Sequence, residues 1–424
     1  MSGPAARRRD NRGGGAALLA AFDFPPIVGG EATLYHGIAR HLPPGEIVVW
    51  APRLAGDGEI DAGLRCRVER GRVPAHGATF RRMARGLLAG AHLTRLLLRR
   101  PMRYLLCGQV LSLGVPMRLL ASVFRLPYAV FVHGADVFDF RHRPVWARLI
   151  RWVLAGADAV IVNSRFTAGI LSRDYPGAAS RIVVLPMGVD VPAEASASEV
   201  AALRQRHALG DGPVLLTVAR LVEAKGHDMV IEALPALLRR HPGLRYLVVG
   251  DGPHREALAA RAARAGVAHA VVFTGRVPDR ERAAHYALGT IFVLLSRSTG
   301  RYDGLEGFGL ALLEASSHGL PVIGGRTGGI PEAVRDGGSG LVLPPEDPAV
   351  LAETIAALLD DPERRRRLGE YGRRFAAEHA WKRTAAAVRA LWREPADEET
   401  PPERSDTAAV VGGRAERCAA SPAP

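Results

Sequence analysis

Apolar residues fall along the chain in short dense runs separated by longer amphipathic stretches. EIVVWAP (46–52), YAVFVHG (128–134), DAVIVNS (158–164) and RIVVLPMG (181–188) are the runs of the first part. Each is rich in β-branched residues and closed by Gly, Pro, Asn or Ser, the pattern of a strand buried on both faces of a parallel sheet. PVLLTVARL (213–221), RYLVVGDGP (245–253), VVFTGRV (271–277), IFVLLS (291–296) and PVIGG (321–325) repeat the signal in the second part. Helical spacing fills the intervals between them. Such alternation predicts an α/β chain of two doubly wound sheets with ligands at the carboxyl ends of the strands. VPAEASASEV (191–200) is small, polar and proline-bearing and reads as a linker between units spanning 15–190 and 201–380. Residues 395–424 carry no apolar period and read as a disordered tail.

Composition narrows the class. Apolar residues make up 48% and charged residues 23% of the 424, enough to build cores and too apolar for a disordered chain. No apolar run reaches the length of a membrane-spanning helix. The basic start MSGPAARRRDNRGGG is followed only by the short AALLAAF, so a secretory signal is not expected. Cys66, Cys107 and Cys418 lie far apart without a CxxC pair, which fits a reducing cytoplasm and offers no cysteine zinc site.

Charge is unevenly placed. Residues 1–190 hold 26 Arg against 13 Asp plus Glu, whereas the rest of the chain holds 30 basic and 30 acidic side chains. The first half should therefore face an anionic surface, lipid or nucleic acid. HGATFRRMARGLLAGAHLTRLLLRRP (76–101) mixes Leu, Met and Phe with Arg81, Arg82, Arg85, Arg95, Arg99 and Arg100. It reads equally as a helix resting on an anionic leaflet and as one packing its apolar side on its own sheet. For nucleic acid the chain lacks an aromatic stacking platform.

GLEGFGLALLEASSHGLPVIGGRTGGIPE (304–332) is the most informative stretch. A helix beginning near Gly309 and stopping at Gly319 places Glu306 in the preceding turn and Glu314 inside the helix. Eight residues of helix span roughly 12 Å, so the two carboxylates cannot work as a close acid–base pair. They can hold the two ends of one elongated ligand. Between them Gly307 and Gly309 open a helix N-terminus, where backbone N–H groups favour phosphate. Carboxylate, phosphate site, carboxylate is the polarity of a nucleotide sugar. Either glutamate alone reads as well as an ordinary surface charge; the spacing with the glycines favours the ligand.

TVARLVEAKGHD (217–228) supplies a countercharge, with Arg220 and Lys225 around a loop after a strand and Lys225 one of only two lysines in the chain. Two fixed cations at a departing diphosphate stabilise the transition state more than the ground state. FDFPPIVGGEATLYHG (22–37) sets Gly29 and Gly30 between a strand end and a helix, and VHGADVF (132–138) ends a strand at His133. Both are weak signals alone, met also in plain βα turns and core histidines.

Taken together, EGFGLALLEA with its E-x7-E spacing, FPPIVGGE, HGAD, NSRFT (163–167), VLPMGVD (184–190), ARLVEAKGHD, VGDGP (249–253), FTGRVP (273–278) and GGIPE (328–332) resemble the family 4 retaining glycosyltransferases of GT-B fold over residues 15–395. The resemblance implies two facing Rossmann-like domains, with the donor held mainly by the second. Arg220 and Lys225 would grip the diphosphate, Glu314 the ribose hydroxyls and Glu306 the hydroxyls of the transferred sugar. Phe308, Gly309 and Leu310 would offer backbone groups, Val277 would contact the base, Gly30 the phosphate and His133 the sugar. The last helix, about 381–394, would cross back to the first domain. No D-x-D metal motif occurs, in keeping with metal-independent transfer, and no cofactor is expected besides the nucleotide-sugar substrate. SRSTGRYDGLEGFGLALLEA (296–315) is similar to the bacterial phosphatidylinositol mannosyltransferase branch, which implies GDP-mannose and a lipid-linked or glycan acceptor. A UDP-sugar transferase and a non-catalytic GT-B partner remain the alternatives. The expected location is cytoplasmic, peripheral on the inner membrane face.

Overall fold

The computed structural model of the chain describes residues 15–73, 79–299 and 306–393. The first sheet has seven strands: β1 (Ala16–Ala20), β2 (Ile47–Pro52), β3 (Arg67–Gly71), β4 (Met102–Cys107), β5 (Tyr128–Val132), β6 (Ala159–Val162) and β7 (Ile182–Val184). They lie in the order β3-β2-β1-β4-β5-β6-β7, every pair parallel. The second sheet has six: β8 (Val214–Val218), β9 (Arg245–Val249), β10 (Val271–Gly275), β11 (Ile291–Leu294), β12 (Val322–Gly325) and β13 (Gly340–Leu343). Their order is β10-β9-β8-β11-β12-β13, again all parallel. Both orders reverse direction beside the first strand, the arrangement that opens a crevice at the carboxyl ends.

All nine runs read as strands from the sequence are strands here. β3, with the sequence RVERG, was not legible because it is an edge strand with one apolar side chain, Val68. Of the segment read as a linker, only 191–196 is irregular; the helix Ala197–Arg206 begins inside it, capped by Ser196 and Glu199 in a reciprocal capping box. The 395–424 segment lies outside the described residues.

One face of the first sheet is covered by the helices Thr79–Arg99, Gly114–Phe124 and Pro144–Gly156, whose Leu93, Leu96, Met117, Ile150 and Val153 are buried against it. The other face is covered by Gly30–His41 and by a helix from the far end of the chain, Trp381–Arg389. Trp381 makes that return possible: it is 4% exposed and packs where two glycines leave room. A Cβ on Gly37 would stand 2.5 Å from the indole, and one on Gly188 2.7 Å from it. Hydrogen bonds from Trp381 N–H to the Val189 carbonyl (3.2 Å) and from Val189 N–H to the His379 carbonyl (2.8 Å) fix the register of the crossing.

Gly37→Ala should therefore overpack the seam and cost about 1–3 kcal/mol in chemical denaturation. Combined with Trp381→Ala, its own cost should largely vanish, a coupling expected only of groups in contact.

Candidate active site

The site is assembled on the carboxyl ends of β8, β11 and β12. After β8 the chain makes one tight turn, Glu223–Lys225, and then needs Gly226 with φ +69°, where a Cβ would meet the Leu295 carbonyl oxygen at 2.2 Å. This turn aims Lys225 across to Glu306, and its ammonium hydrogen-bonds the Glu306 carboxylate. Ser296, just past β11, donates to the same oxygen at 3.3 Å. The loop after β12 completes the cradle, for Gly329 N–H donates to the Glu306 carbonyl at 2.9 Å. Gly328, at φ +56°, passes so close that a Cβ would lie 2.1 Å from that carbonyl oxygen. Burial would raise the Glu306 carboxyl, but Lys225, Ser296 and the Gly309 N–H outweigh it and hold the group below the ordinary carboxylate range. Glu306 is thus a fixed anion.

Glu314 belongs to a different set of contacts. The helix Leu310–Ser317 starts from Gly309 at φ +94° and carries Glu314 toward Tyr286, whose hydroxyl donates to it at 2.8 Å. Burial pushes the Glu314 carboxyl upward, against the opposing pull of Arg282 and of that hydrogen bond. Tyr286 is itself stacked on His318 with centroids 4.6 Å apart. The two carboxylates therefore stand in different electrostatic settings at the two ends of one helix start, as the spacing predicts.

Arg220 is exposed and has no carboxylate partner among the described residues. Its backbone is held from below, where buried His227 spans the Arg220 carbonyl (3.3 Å) and the Tyr246 hydroxyl (3.1 Å). Arg297 grips Asp228 through two bonds of 2.9 and 2.8 Å while its N–H donates to the Ala224 carbonyl at 2.9 Å. The loop bearing both cations is thus anchored from beneath at the Arg220 and Ala224 carbonyls.

Opposite stand the residues of the first sheet. Gly29 and Gly30 are exposed, and a Cβ on either would meet nothing within 4 Å. Space there is open above a helix N-terminus, so packing within the protein does not demand glycine. His133 ends β5 as expected, and its Nε2 lies 2.6 Å from the Tyr35 hydroxyl. That hydroxyl gives its one proton to the Gly108 carbonyl, so its oxygen accepts from His133 Nε2–H. Next to it Gln109 donates to Asp23 (3.1 Å) and Glu31 (3.2 Å). Burial and the neighbouring Asp23 raise the Glu31 carboxyl to about 7. Val277 is half-buried just after β10, Phe308 is buried, and Leu310 is half-buried at the first turn of its helix.

Sequence reasoning assigned no role to Asp23, Glu31, Gln109, Ser296, Arg282 or Tyr286: the first two and Ser296 stand inside quoted stretches whose spacing does not single them out, and the others stand alone. It also left NSRFT and GGIPE without chemistry. The structure shows that these two motifs bind each other: the Glu332 carboxylate accepts from the N–H groups of Arg165 (2.9 Å) and Phe166 (3.0 Å). A carboxylate from the second half thereby caps a helix of the first. Beside it Gly307 lies against Asn163, where a Cβ would stand 2.6 Å from the amide nitrogen. Residues 300–305, part of the stretch compared with the phosphatidylinositol mannosyltransferase branch, lie outside the described residues.

Comparison with known proteins bears on the family and the fold. Residues 28–192 match the family model "Glycosyltransferase Family 4" and residues 200–375 match "Glycosyl transferases group 1". The GDP-mannose-dependent alpha-(1-6)-phosphatidylinositol monomannoside mannosyltransferase of Mycolicibacterium smegmatis is 34% identical over 374 residues, which covers 87% of this chain and 96% of that protein. The D-inositol 3-phosphate glycosyltransferase of Acidothermus cellulolyticus is 34% identical over 61% of this chain and 58% of its own length. Among solved structures, HepE of Anabaena in complex with UDP and glucose superimposes with a TM-score of 0.74 at 19% identity, over 89% of this chain and 98% of that one.

Acid stability should report on the buried bonding beneath Arg220. Burial lowers His227 to about 4, so the folded protein refuses a proton that the unfolded chain accepts below pH 6.5. Its contribution to stability is complete above pH 6.5 and is lost as pH falls toward 4, at a cost of about 3 kcal/mol. His227→Gln should lower stability at neutral pH and make the acid-side slope of unfolding free energy shallower. An unchanged slope in urea titrations across that window would count against the assigned environment.

Proposed function

The chain belongs to the family 4 glycosyltransferases of GT-B fold, and from that premise we propose that it moves a mannosyl group from GDP-mannose, with retention, to a lipid-linked acceptor at an anionic membrane surface. The observation that carries the reading is the Lys225–Glu306 pair at a glycine-opened helix start, with exposed Arg220 on the loop that bears Lys225. Arg220 and Lys225 hold the diphosphate, Glu306 orients the hydroxyls of the transferred sugar, and Glu314 takes the ribose hydroxyls. The backbone of Phe308, Gly309 and Leu310 serves the phosphate and sugar, and Val277 the base. Gly30 lets the phosphate approach from the first half, and His133, held in one tautomer by Tyr35, faces the sugar.

The bond from the anomeric carbon to the diphosphate oxygen breaks as negative charge grows on that oxygen. Arg220 and Lys225 are placed to stabilise that charge as it develops. The acceptor hydroxyl attacks from the same face and its proton passes to the departing phosphate oxygen. No side-chain base is needed for that step. Mannose and a phosphoinositide-type acceptor are supported by the M. smegmatis relative, matched over nearly its full length.

Membrane association rests on the first half. Leu87, Leu98, Leu119 and Val123 are between 53 and 74% exposed on neighbouring helices of one face. Exposed Arg95, Arg99, Arg125, Arg148 and Arg151 surround them. No helix among the described residues is long and apolar enough to cross a membrane. Apolar side chains among arginines suit a surface that rests on anionic lipid.

A panel of GDP- and UDP-sugars, incubated with purified protein without acceptor, tests the donor. GDP-mannose should be hydrolysed in preference to the others, and Glu306→Gln should reduce turnover about a hundredfold or more. Hydrolysis of a UDP-sugar in its place would reassign the nucleotide.

A further inference from the structure

At the edge of the first sheet lies a concavity of about 630 Å³ whose lining shares no residue with the candidate active site. It is lined by Trp50, Leu96 and His92, by five arginines (Arg67, Arg70, Arg95, Arg99 and Arg100), and by the single acid Glu69. Two of these arginines are already engaged. Arg70 is 4% exposed and bonded to Asp61 and to the Pro25 and Pro52 carbonyls, and Arg67 pairs with Glu69. Arg95, Arg99 and Arg100 are exposed and have no carboxylate partner among the described residues. Three uncompensated guanidinium groups around one hollow create a concentrated positive field, and their planar forks match phosphate oxygens. The hollow runs along edge strand β3 from Arg67 to Arg70, between Trp50 of β2 and the last turns of the helix Thr79–Arg99.

Helical periodicity says what approaches this site. On Thr79–Arg99, Leu87 and Leu98 are eleven residues apart and point the same way, 72 and 73% exposed. Arg95, Leu88, Arg99 and His92 follow at successive angles around the helix, leading from that apolar ridge into the hollow. A phosphate ester reaching the arginines from the ridge side would carry its apolar portion over the leucines. Lipid headgroups have that shape; free phosphate does not use the ridge.

We propose that this hollow binds the headgroup phosphate of an anionic lipid, separately from the acceptor, and so sets the enzyme on the membrane in one orientation. The proposal rests on the membrane reading above, and it can fail while that reading stands. Arg95→Lys/Arg99→Lys keeps the charge but removes the fork, whereas Leu87→Gln/Leu98→Gln removes the ridge. Donor hydrolysis without acceptor should be as in wild type for both, which shows that they fold. Co-sedimentation is measured with phosphatidylcholine vesicles doped with phosphatidic acid.

Wild type should pellet. The leucine variant should be lost from vesicles, and the lysine variant should bind about tenfold more weakly, a difference that bulk charge would not produce. Equal binding of the lysine variant and wild type overturns the headgroup site while leaving membrane association intact. Failure of wild type to pellet overturns both readings. Thermal stabilisation of wild type by glycerol 3-phosphate without pelleting would assign the hollow to soluble phosphate esters and also overturn the lipid proposal.

Discussion

A carboxylate drawn out of water needs a cation close by, and the cleft of this protein is organised around meeting that need at Glu306. Burial works against ionisation there, and the Lys225 ammonium with two hydrogen-bond donors reverses the outcome. Meeting this demand fixes much else. Lys225 reaches only because Gly226 turns left-handed under the Leu295 carbonyl, and Glu306 stays only because Gly328 and Gly329 pack against its backbone. The same contacts bring β8, β11 and β12 into one corner and leave Arg220 free above it. On the proposed reading a nucleotide sugar offers diphosphate to the cations and hydroxyls to the carboxylate, and the ion pair doubles as a ligand template.

That corner is tied to the other half of the molecule. Glu332, two residues past Ile330 in the turn after β12, caps the helix that begins at Arg165, and Gly307 lies against Asn163. Trp381 draws the end of the chain back onto Gly37 and Gly188. The two halves are therefore connected near the candidate site, through Glu332 and Gly307, and far from it, through Trp381. Fixing the relative position of two binding surfaces is what a displacement on one face of a sugar requires. On this view the glycines and the tryptophan serve catalysis through geometry, without touching substrate.

Much of this was legible in the sequence. The alternation of apolar runs predicts both sheets through nine of their thirteen strands, whereas β1, β3, β4 and β13 lie outside the runs it marks. E-x7-E placed Glu306 before a helix and Glu314 within it, and that is where they stand. What the sequence hid has a physical reason in each case. β3 is an edge strand and needs only one apolar residue. Gln109 is 86 residues from Asp23 and 78 from Glu31, so only the fold brings it to them. Glu332 stood inside a quoted motif, yet nothing in the order of residues says that a carboxylate will cap a helix 166 positions away. The charge of the first half was plain, whereas its concentration around one hollow required the packing of a helix on β2 and β3.

The central claim is that Arg220 and Lys225 act on charge that appears only as the glycosidic bond breaks. Steady-state kinetics of Lys225→Met and Arg220→Met with the donor that wild type uses tests it most directly. The account predicts a fall in kcat of about a hundredfold to a thousandfold with KM changed far less. A large rise in KM with kcat preserved would mean that the two cations merely hold the ground-state donor, and would contradict it.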